Sequence, residues 1–212
     1  MARTAPFDEN PLKYEEWFED RRFVYQSELR AIEEQLPENG VGLEIGVGSG
    51  RFAAPLGINI GIEPSAEMRK IAKERGIMVV GGVAENLPFN DAMFNFVLMV
   101  TTICFLDDVE AALREIYRVL IPGGVIIIGF VDKNSSLGKS YQERRSESPF
   151  YRIASFFSVD EVISYLKKAG FKEFELTQTI FHELDKIRDI EPVVKGHGRG
   201  SFVVIRAVRK NG

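Results

Sequence analysis

The residues with chemistry to offer are three glycines and two glutamates set at the ends of apolar runs. Gly46, Gly48 and Gly50 fall at alternate positions directly after Val41, Leu43 and Ile45. A buried strand that runs into a glycine turn lets backbone N–H groups approach a ligand that side chains would otherwise keep away. Arg51, Phe52, Ala53 and Ala54 then read as one or two helical turns, and a helix N-terminus adds partial positive charge at the same spot. Glu63 ends the alternation Ile58, Ile60, Ile62, seventeen positions after Gly46. That is close to where a dinucleotide fold places the carboxylate that accepts both ribose hydroxyls. Glu85, within Ala84-Glu85-Asn86-Leu87-Pro88-Phe89, sets a carboxylate beside an apolar wall, which suits a flat purine with an exocyclic amine. Taken singly, the glycines are any tight strand-to-helix turn and each glutamate a solvated loop acid; in chain order they describe one site for a ribose and a base. A nicotinamide fold asks for G-x-G-x-x-G, and the sixth position here is Arg51.

The elements that must position these residues follow from periodicity. Strands are predicted at Val41–Ile45, Ile58–Ile62, Ile77–Val80, Phe94–Val100 and Val125–Phe130, with helices at Ala66–Arg75 and from Asp107 or Asp108 to Leu120. Nearly continuous apolar runs such as Phe94–Val100 suit strands buried on both faces, and strands alternating with helices argue for a parallel sheet covered on both sides. Ser158-Val-Asp-Glu161 is a capping box opening a helix that Gly170 ends. Phe171–Phe181 and Ser201–Arg209 have no crossover helix between them, which predicts an antiparallel pair closing a seven-stranded sheet. Before the glycine turn, Asn10 as N-cap and Pro11 at the first helical position open a helical stretch running to Leu36, and Pro122-Gly123-Gly124 reads as a turn before the fifth strand. The whole forms a single domain: an N-terminal helical lid (1–39), a core (40–130), a polar then aromatic insertion over the C-terminal edge of the sheet (131–157), and a terminal helix with its strand pair (158–212).

Composition removes several classes of function. The net charge is −4 and the basic clusters are only pairs, Arg21-Arg22, Arg144-Arg145 and Lys167-Lys168, so there is no electrostatic footprint for a nucleic-acid backbone. Cys104 is the single cysteine, which excludes an internal disulfide and fits a reducing, cytoplasmic setting. No apolar run marks a signal peptide, and the longest runs are strand length, too short for a membrane span. The two histidines, His182 and His197, lie outside every motif, and no His, Cys or Asp spacing recurs as a metal site. No catalytic base stands out, and the pattern is silent on oligomeric state.

The ordered motifs resemble those of class I S-adenosylmethionine-dependent methyltransferases of the small-molecule, type 11-like group. LEIGVGSG resembles that family's first motif, GIEPSAEM its second, AENLPF its adenine-side motif, EIYRVLIPGGVIII its approach to the fifth strand, and FSVDEVISYLKKAGF the helix and turn before the final strands. The resemblance covers about residues 40–180 and implies a Rossmann-like α/β fold with S-adenosylmethionine as cofactor. It implies that Gly46 and Gly48 pass close to the methionine part, with Glu44 and Gly50 in the same motif. It implies that Glu63, followed by Pro64, holds the ribose, that Ala84, Glu85 and Leu87 lie along the adenine, and that Val100 and Thr101 lie near the sulfonium. By analogy with the family's lids, Tyr14, Trp17, Tyr25 and Tyr141 are candidates for the acceptor pocket, since aromatic faces attract a positive charge. Two positions depart from the family pattern: Asn95 stands where aspartate is usual, and Val83 where an acid commonly precedes the alanine. The activity implied is methyl transfer to a small molecule; a cofactor-binding subunit without turnover is the alternative.

Overall fold

The computed structural model describes residues 4–210. Eight strands form one sheet: β1 Gly42–Ile45, β2 Ile60–Ile62, β3 Met78–Val80, β4 Phe94–Val100, β5 Leu120–Val131, β6 Phe171–Thr179, β7 Val194–Lys195 and β8 Phe202–Arg209. Their spatial order is β3-β2-β1-β4-β5-β8-β6-β7. The pairs β1/β2, β2/β3, β1/β4 and β4/β5 are parallel, while β8 runs antiparallel to both β5 and β6. The predicted α/β class and the antiparallel closure are therefore present. The strand beyond the predicted seven is β7, two residues long and paired with Thr177 and Gln178, too short to leave an alternation in the sequence.

Eight helices accompany the sheet among the described residues: α1 Ala5–Glu9, α2 Pro11–Asp20, α3 Arg22–Glu33, α4 Ala66–Glu74, α5 Val109–Val119, α6 Ser136–Glu143, α7 Pro149–Ile153 and α8 Val159–Lys168. Strand alternation divides the core into two layers. Val97 and Met99 of β4 face a layer with Leu113 and Ile116 of α5 and Val162 and Leu166 of α8. Phe96, Leu98 and Val100 face the opposite layer, with Val24, Ala31 and Ile32 of α3 and Ala72 of α4. α5 takes its place because Val109, Ala112, Leu113, Ile116 and Val119 recur at helical spacing, and Asp108 caps it by accepting from Ala111 N–H at 2.9 Å. α8 opens with the predicted capping box, Ser158 and Glu161 each accepting from the other's backbone N–H.

Three local expectations are corrected. Residues 51–57 form turns, not a helix. Ala54 N–H does reach Gly50 C=O at 3.1 Å, but Pro55 lacks the N–H for the next rung and Gly57, at φ +70°, turns the chain away. No helix dipole therefore serves the glycine turn. Pro122-Gly123-Gly124 is not a separate turn: β5 begins at Leu120, which pairs with Phe94, and the glycines make an irregularity in its register. The Asn10 side chain does not cap α2; its Nδ2 donates to Pro6 C=O at 3.0 Å and so joins α2 to the preceding α1.

The N-terminal helices are fastened to the glycine turn by an ionic cluster that spans long sequence separations. Glu15 of α2 accepts from Arg51 Nε at 3.0 Å and pairs with Arg75 beyond α4, while Arg75 Nη1 donates to Ser49 C=O at 2.6 Å. The Glu15 side chain is only 16% exposed, so its loss leaves two arginines short of a partner in a partly desolvated place. Glu15→Ala is expected to lower stability by about 1–3 kcal/mol. Glu110→Ala, which breaks the exposed pair with Lys168, is expected to cost under about 1 kcal/mol; denaturant midpoints of the two variants check the contrast.

Candidate functional site

Strand order reverses between β1 and β4: the chain runs outward through β2 and β3, then returns to the other side of β1. In an open parallel sheet this crevice, beyond the carboxyl ends of the strands, is where ligands bind. A cavity of about 100 Å³ opens there. Gly46 and Gly48 come from the turn after β1, Glu63 and Pro64 from the end of β2, Ala84 and Glu85 from the loop after β3, and Val100 and Thr101 from the end of β4.

Backbone contacts join these strand ends into one unit. Glu63 Oε2 accepts from Gly48 N–H at 2.9 Å and Oε1 accepts from Ser65 N–H at 2.8 Å. Each oxygen keeps acceptor capacity toward the cavity. The carboxyl is 7% exposed, and burial, opposed by those two N–H donors, pushes its pKa up to about 6. Both turn glycines are required by geometry. Gly46 and Gly48 have φ of +65° and +54°, and a Cβ on Gly46 would lie 2.4 Å from Thr102 Cγ2. Thr101 is held at φ +48°, rare for a β-branched residue, with its N–H on Gly129 C=O at 2.7 Å. Backbone strain of this kind gathers at functional sites.

On the far wall, Glu85 Oε1 accepts from Asp107 N–H at 2.9 Å and Asp108 N–H at 3.3 Å, tying the loop after β3 to the loop after β4. The apolar surface beside it is Ile62, Val83, Ala84, Phe105 and Leu106, not the Leu87–Phe89 stretch the sequence suggests. A bridge between Val83 and Asn86 tightens this loop. Leu87 turns into the core at 4% exposure with its N–H on Glu115 Oε2, and Phe89 packs edge-on against Phe94. Val83, a departure from the family pattern, is thus part of the wall. Asn95, the other departure, accepts from Val41 N–H at 2.8 Å and holds the approach to β1.

Glu44 and Gly50 lie near this cavity in sequence but not on its wall. Glu44 alternates with Leu43 and Ile45, so its side chain enters the opposite layer, where it is 1% exposed with Oε2 unpartnered and its carboxyl pushed well up by burial. Gly50, at φ +84°, faces Ile77 and Ala72.

A second cavity, about 260 Å³, adjoins the first and shares Phe7, Tyr14, Thr101 and Phe105 with it. Its walls come from α2 and α3, the 3-10 turn after β4, and the 131–157 insertion. Tyr14, Trp17 and Tyr141 line it, while Tyr25 does not: its hydroxyl donates to Arg51 C=O and it packs on Phe18 and Phe52. Burial, with the neighbouring Glu63 charge, drives the Tyr14 phenol pKa strongly upward, so it serves as a neutral hydroxyl. Neither His182 nor His197 reaches either cavity.

Three residues on these walls have no motif. Phe7 sits in α1, a helix the sequence does not announce, and its ring meets Tyr14, Phe105 and Phe150 at 5.9, 5.1 and 5.2 Å, closing the space between the two cavities. Phe105 follows β4 in the 3-10 turn. Glu28 is the legible one. The buried positions of α3 are 24, 27, 28, 31 and 32, a helical stripe facing the core, and a glutamate inside such a stripe breaks the rule that apolar residues fill it.

Comparison with known proteins agrees with this geometry. Residues 43–128 match the methyltransferase domain family. A structure from Thermotoga maritima, described as an S-adenosylmethionine-dependent methyltransferase and possible histamine N-methyltransferase, is 50% identical with a TM-score of 0.95, over 97% of this chain and 99% of that one. An uncharacterised protein of Methanocaldococcus jannaschii is 47% identical over 201 residues, 95% of this chain and 97% of that protein. An uncharacterised protein of Mycobacterium tuberculosis is 38% identical over 169 residues, 78% of this chain and 59% of that protein. The chain belongs to the S-adenosylmethionine-dependent methyltransferases, with the class I fold and S-adenosylmethionine as cofactor. The first cavity fits that cofactor: a buried carboxylate with acceptor capacity to spare, a glycine turn in which Gly46 has no room for a Cβ, and an apolar face closed by Phe105 and Leu106. Among the described residues, no helix is long and apolar enough to cross a membrane.

Buried carboxyls leave a signature in stability. Glu28 rises to about 8 and Glu63 to about 6, both through burial. Because these values lie above that of an unfolded glutamate, the folded state binds more protons across the interval, and stability falls as pH rises from about 4.5 to 8. The Glu28→Gln variant is expected to flatten the upper part of this slope, between about pH 6 and 8, in thermal melts of the ligand-free protein.

Proposed function

We propose that the chain transfers a methyl group to a small-molecule acceptor seated in the larger cavity, by in-line displacement with cofactor and acceptor meeting at Thr101. The observation that carries this is the pair of adjoining cavities. One carries the Glu63 clamp and is the more polar of the two; the other is almost wholly apolar; Phe7, Tyr14, Thr101 and Phe105 are common to both. The Thermotoga maritima protein is described as a possible histamine N-methyltransferase, in keeping with an acceptor of modest size.

In this reading Glu63 accepts from the ribose hydroxyls while remaining fixed by the Gly48 and Ser65 N–H groups. Gly46 and Gly48 line the methionine part, and Ala84, Glu85 and Val83 border the adenine. The bound cofactor supplies an activated methyl group on a sulfonium, so the protein's part is alignment and exclusion of water, which together supply several kcal/mol. Tyr14 and Phe7, reaching over both cavities, close the reaction space from the α1–α2 side, and Tyr141 and Trp17 form acceptor walls. Within the segments 1–39 and 131–157, the described residues 4–39 and 131–157 act as lid and cover on one domain; residues 1–3 lie outside the described residues. No proton acceptor is required of the histidines.

Binding without turnover is the competing reading. It calls for a filled space beside Thr101, and the cavity of about 260 Å³ there counts against it.

Calorimetric titration tests the cofactor assignment. S-adenosylmethionine and S-adenosylhomocysteine are expected to bind and NAD not to. Glu63→Ala, which removes two acceptor oxygens, is expected to weaken both by about 100-fold, with a thermal melt checking that the variant folds. Absence of binding by either sulfur ligand, on protein stripped of co-purified ligand, overturns the proposal.

A further inference from the structure

We propose that Glu28 is the recognition residue for the acceptor, and that the acceptor is a small aromatic or apolar amine whose cationic nitrogen pairs with this carboxylate. The inference rests on the methyltransferase reading and narrows its substrate class.

Glu28 lines the larger cavity from α3 and is 4% exposed. Among the described residues its carboxylate accepts no hydrogen bond and faces no ion pair. The other buried carboxylates whose shifts include hydrogen bonds are held by backbone N–H groups; for Glu28, desolvation alone accounts for the upward shift to about 8. Other titratable groups around the same cavity do not relieve it. Tyr14 of α2, Tyr141 of α6 and Tyr151 of α7 are all pushed toward the neutral phenol by burial, and the Glu28 charge adds to that push in each. Lys13 of α2 is exposed at the rim and makes no ion pair with Glu28.

A buried carboxylate without a partner is costly, and such groups in folded proteins are paired or neutralised. Its neighbours on the α3 stripe are the apolar Val24, Ala31 and Ile32 and Ser27, whose hydroxyl is satisfied by Phe23 C=O and Glu191 N–H, so an apolar residue at position 28 would satisfy the fold better. The structure thus holds an acid where packing alone asks for none, aimed into a space sized for a small molecule. With the cavity empty the cost is met by holding the proton; an occupant that brings a positive charge lets the carboxyl ionise and pairs with it. The surrounding surface suits the remainder of such a molecule: Trp17, Phe130 and Phe150 are apolar faces, and Tyr141 and Tyr151 are stacked with centroids 4.2 Å apart. Aromatic faces attract cations as well as apolar rings. An anionic acceptor is disfavoured by the same carboxylate.

Trp17 is the only tryptophan in the chain and lines this cavity, so its fluorescence reports occupancy without turnover. The experiment titrates 2-phenylethylamine and its neutral analogue 2-phenylethanol into the protein, with and without saturating S-adenosylhomocysteine, for the natural chain, Glu28→Gln and Glu28→Met. The amine is expected to bind about 10-fold or more tightly than the alcohol, and the ratio to fall to about 1 in both variants. Glutamine keeps the shape and methionine the volume, so at least one variant retains the fold; thermal melts identify it. Equal binding of amine and alcohol by the natural chain, a preference that survives in Glu28→Gln, or no binding of the amine under either condition overturns the proposal. So does a Glu28→Gln variant that loses affinity for S-adenosylmethionine but not S-adenosylhomocysteine while keeping its amine preference, since the carboxylate then faces the sulfonium. An amine preference that depends on Glu28 in protein unable to bind either sulfur ligand leaves Glu28 as an amine-binding residue and overturns its role toward a methyl acceptor.

Discussion

The Glu63 carboxylate holds the ligand-facing edge of the sheet together. Its two oxygens take the N–H groups of Gly48 and Ser65, and so connect the turn after β1 to the cap of α4 beside the point where strand order reverses. Ser65 in turn caps α4 through Met68 N–H and donates to Asp8 of α1 at 2.6 Å. One carboxylate therefore ties the turn after β1, the N-terminus of α4 and α1 into a single connected set. A charge-assisted acceptor is among the stronger links available in such a place. Burial raises the Glu63 pKa to about 6, so the group that organises the crevice is also one whose ionisation is poorly solvated until a ligand offers further donors.

The second organising feature is the division of labour between the two cavities. The one that holds Glu63 is framed by backbone and strand ends, which the sheet makes rigid. The apolar one is framed by α2, α3 and the insertion, whose positions depend on side-chain contacts: the Glu15, Arg51 and Arg75 cluster on one side and the Phe7, Tyr14 and Phe150 rings on the other. Ligand sites supported on strand ends hold their geometry, whereas helical covers can differ among proteins sharing a fold. This explains how one sheet can serve methyl transfer in relatives with different acceptors.

Much of the sheet was legible because the signals were local and strong. Fully buried strands such as β4 leave continuous apolar runs, and α5 and α8 carry both a helical stripe and a cap. The glycine turn, Glu63, Ala84, Glu85, Val100 and Thr101 could be placed because topology puts every strand end in the same crevice. Leu87 and Glu44 were misplaced for the reason that helps elsewhere: adjacent residues on a strand or tight loop point opposite ways, and motif membership says nothing about which way. Phe52, Ala53 and Ala54 favour the one or two helical turns expected at 51–54, and Pro55 with Gly57 keeps that stretch to turns.

By itself the sequence determined the α/β class, the parallel strands with their antiparallel closure and the cofactor-side residues at the strand ends, since hydrophobic period, caps and turn residues act over a few positions. Only the tertiary structure decided what surrounds the acceptor space. Phe7, Phe105, Tyr151 and Glu28 come from segments far apart in the chain and share no spacing, so their convergence depends on how α1 to α3 and the insertion fold over the sheet. Glu28 marks the boundary between the two kinds of information. Its place in an apolar stripe is visible in the sequence as an anomaly, but that the anomaly opens onto a cavity rather than a buried ion pair is a fact of packing alone.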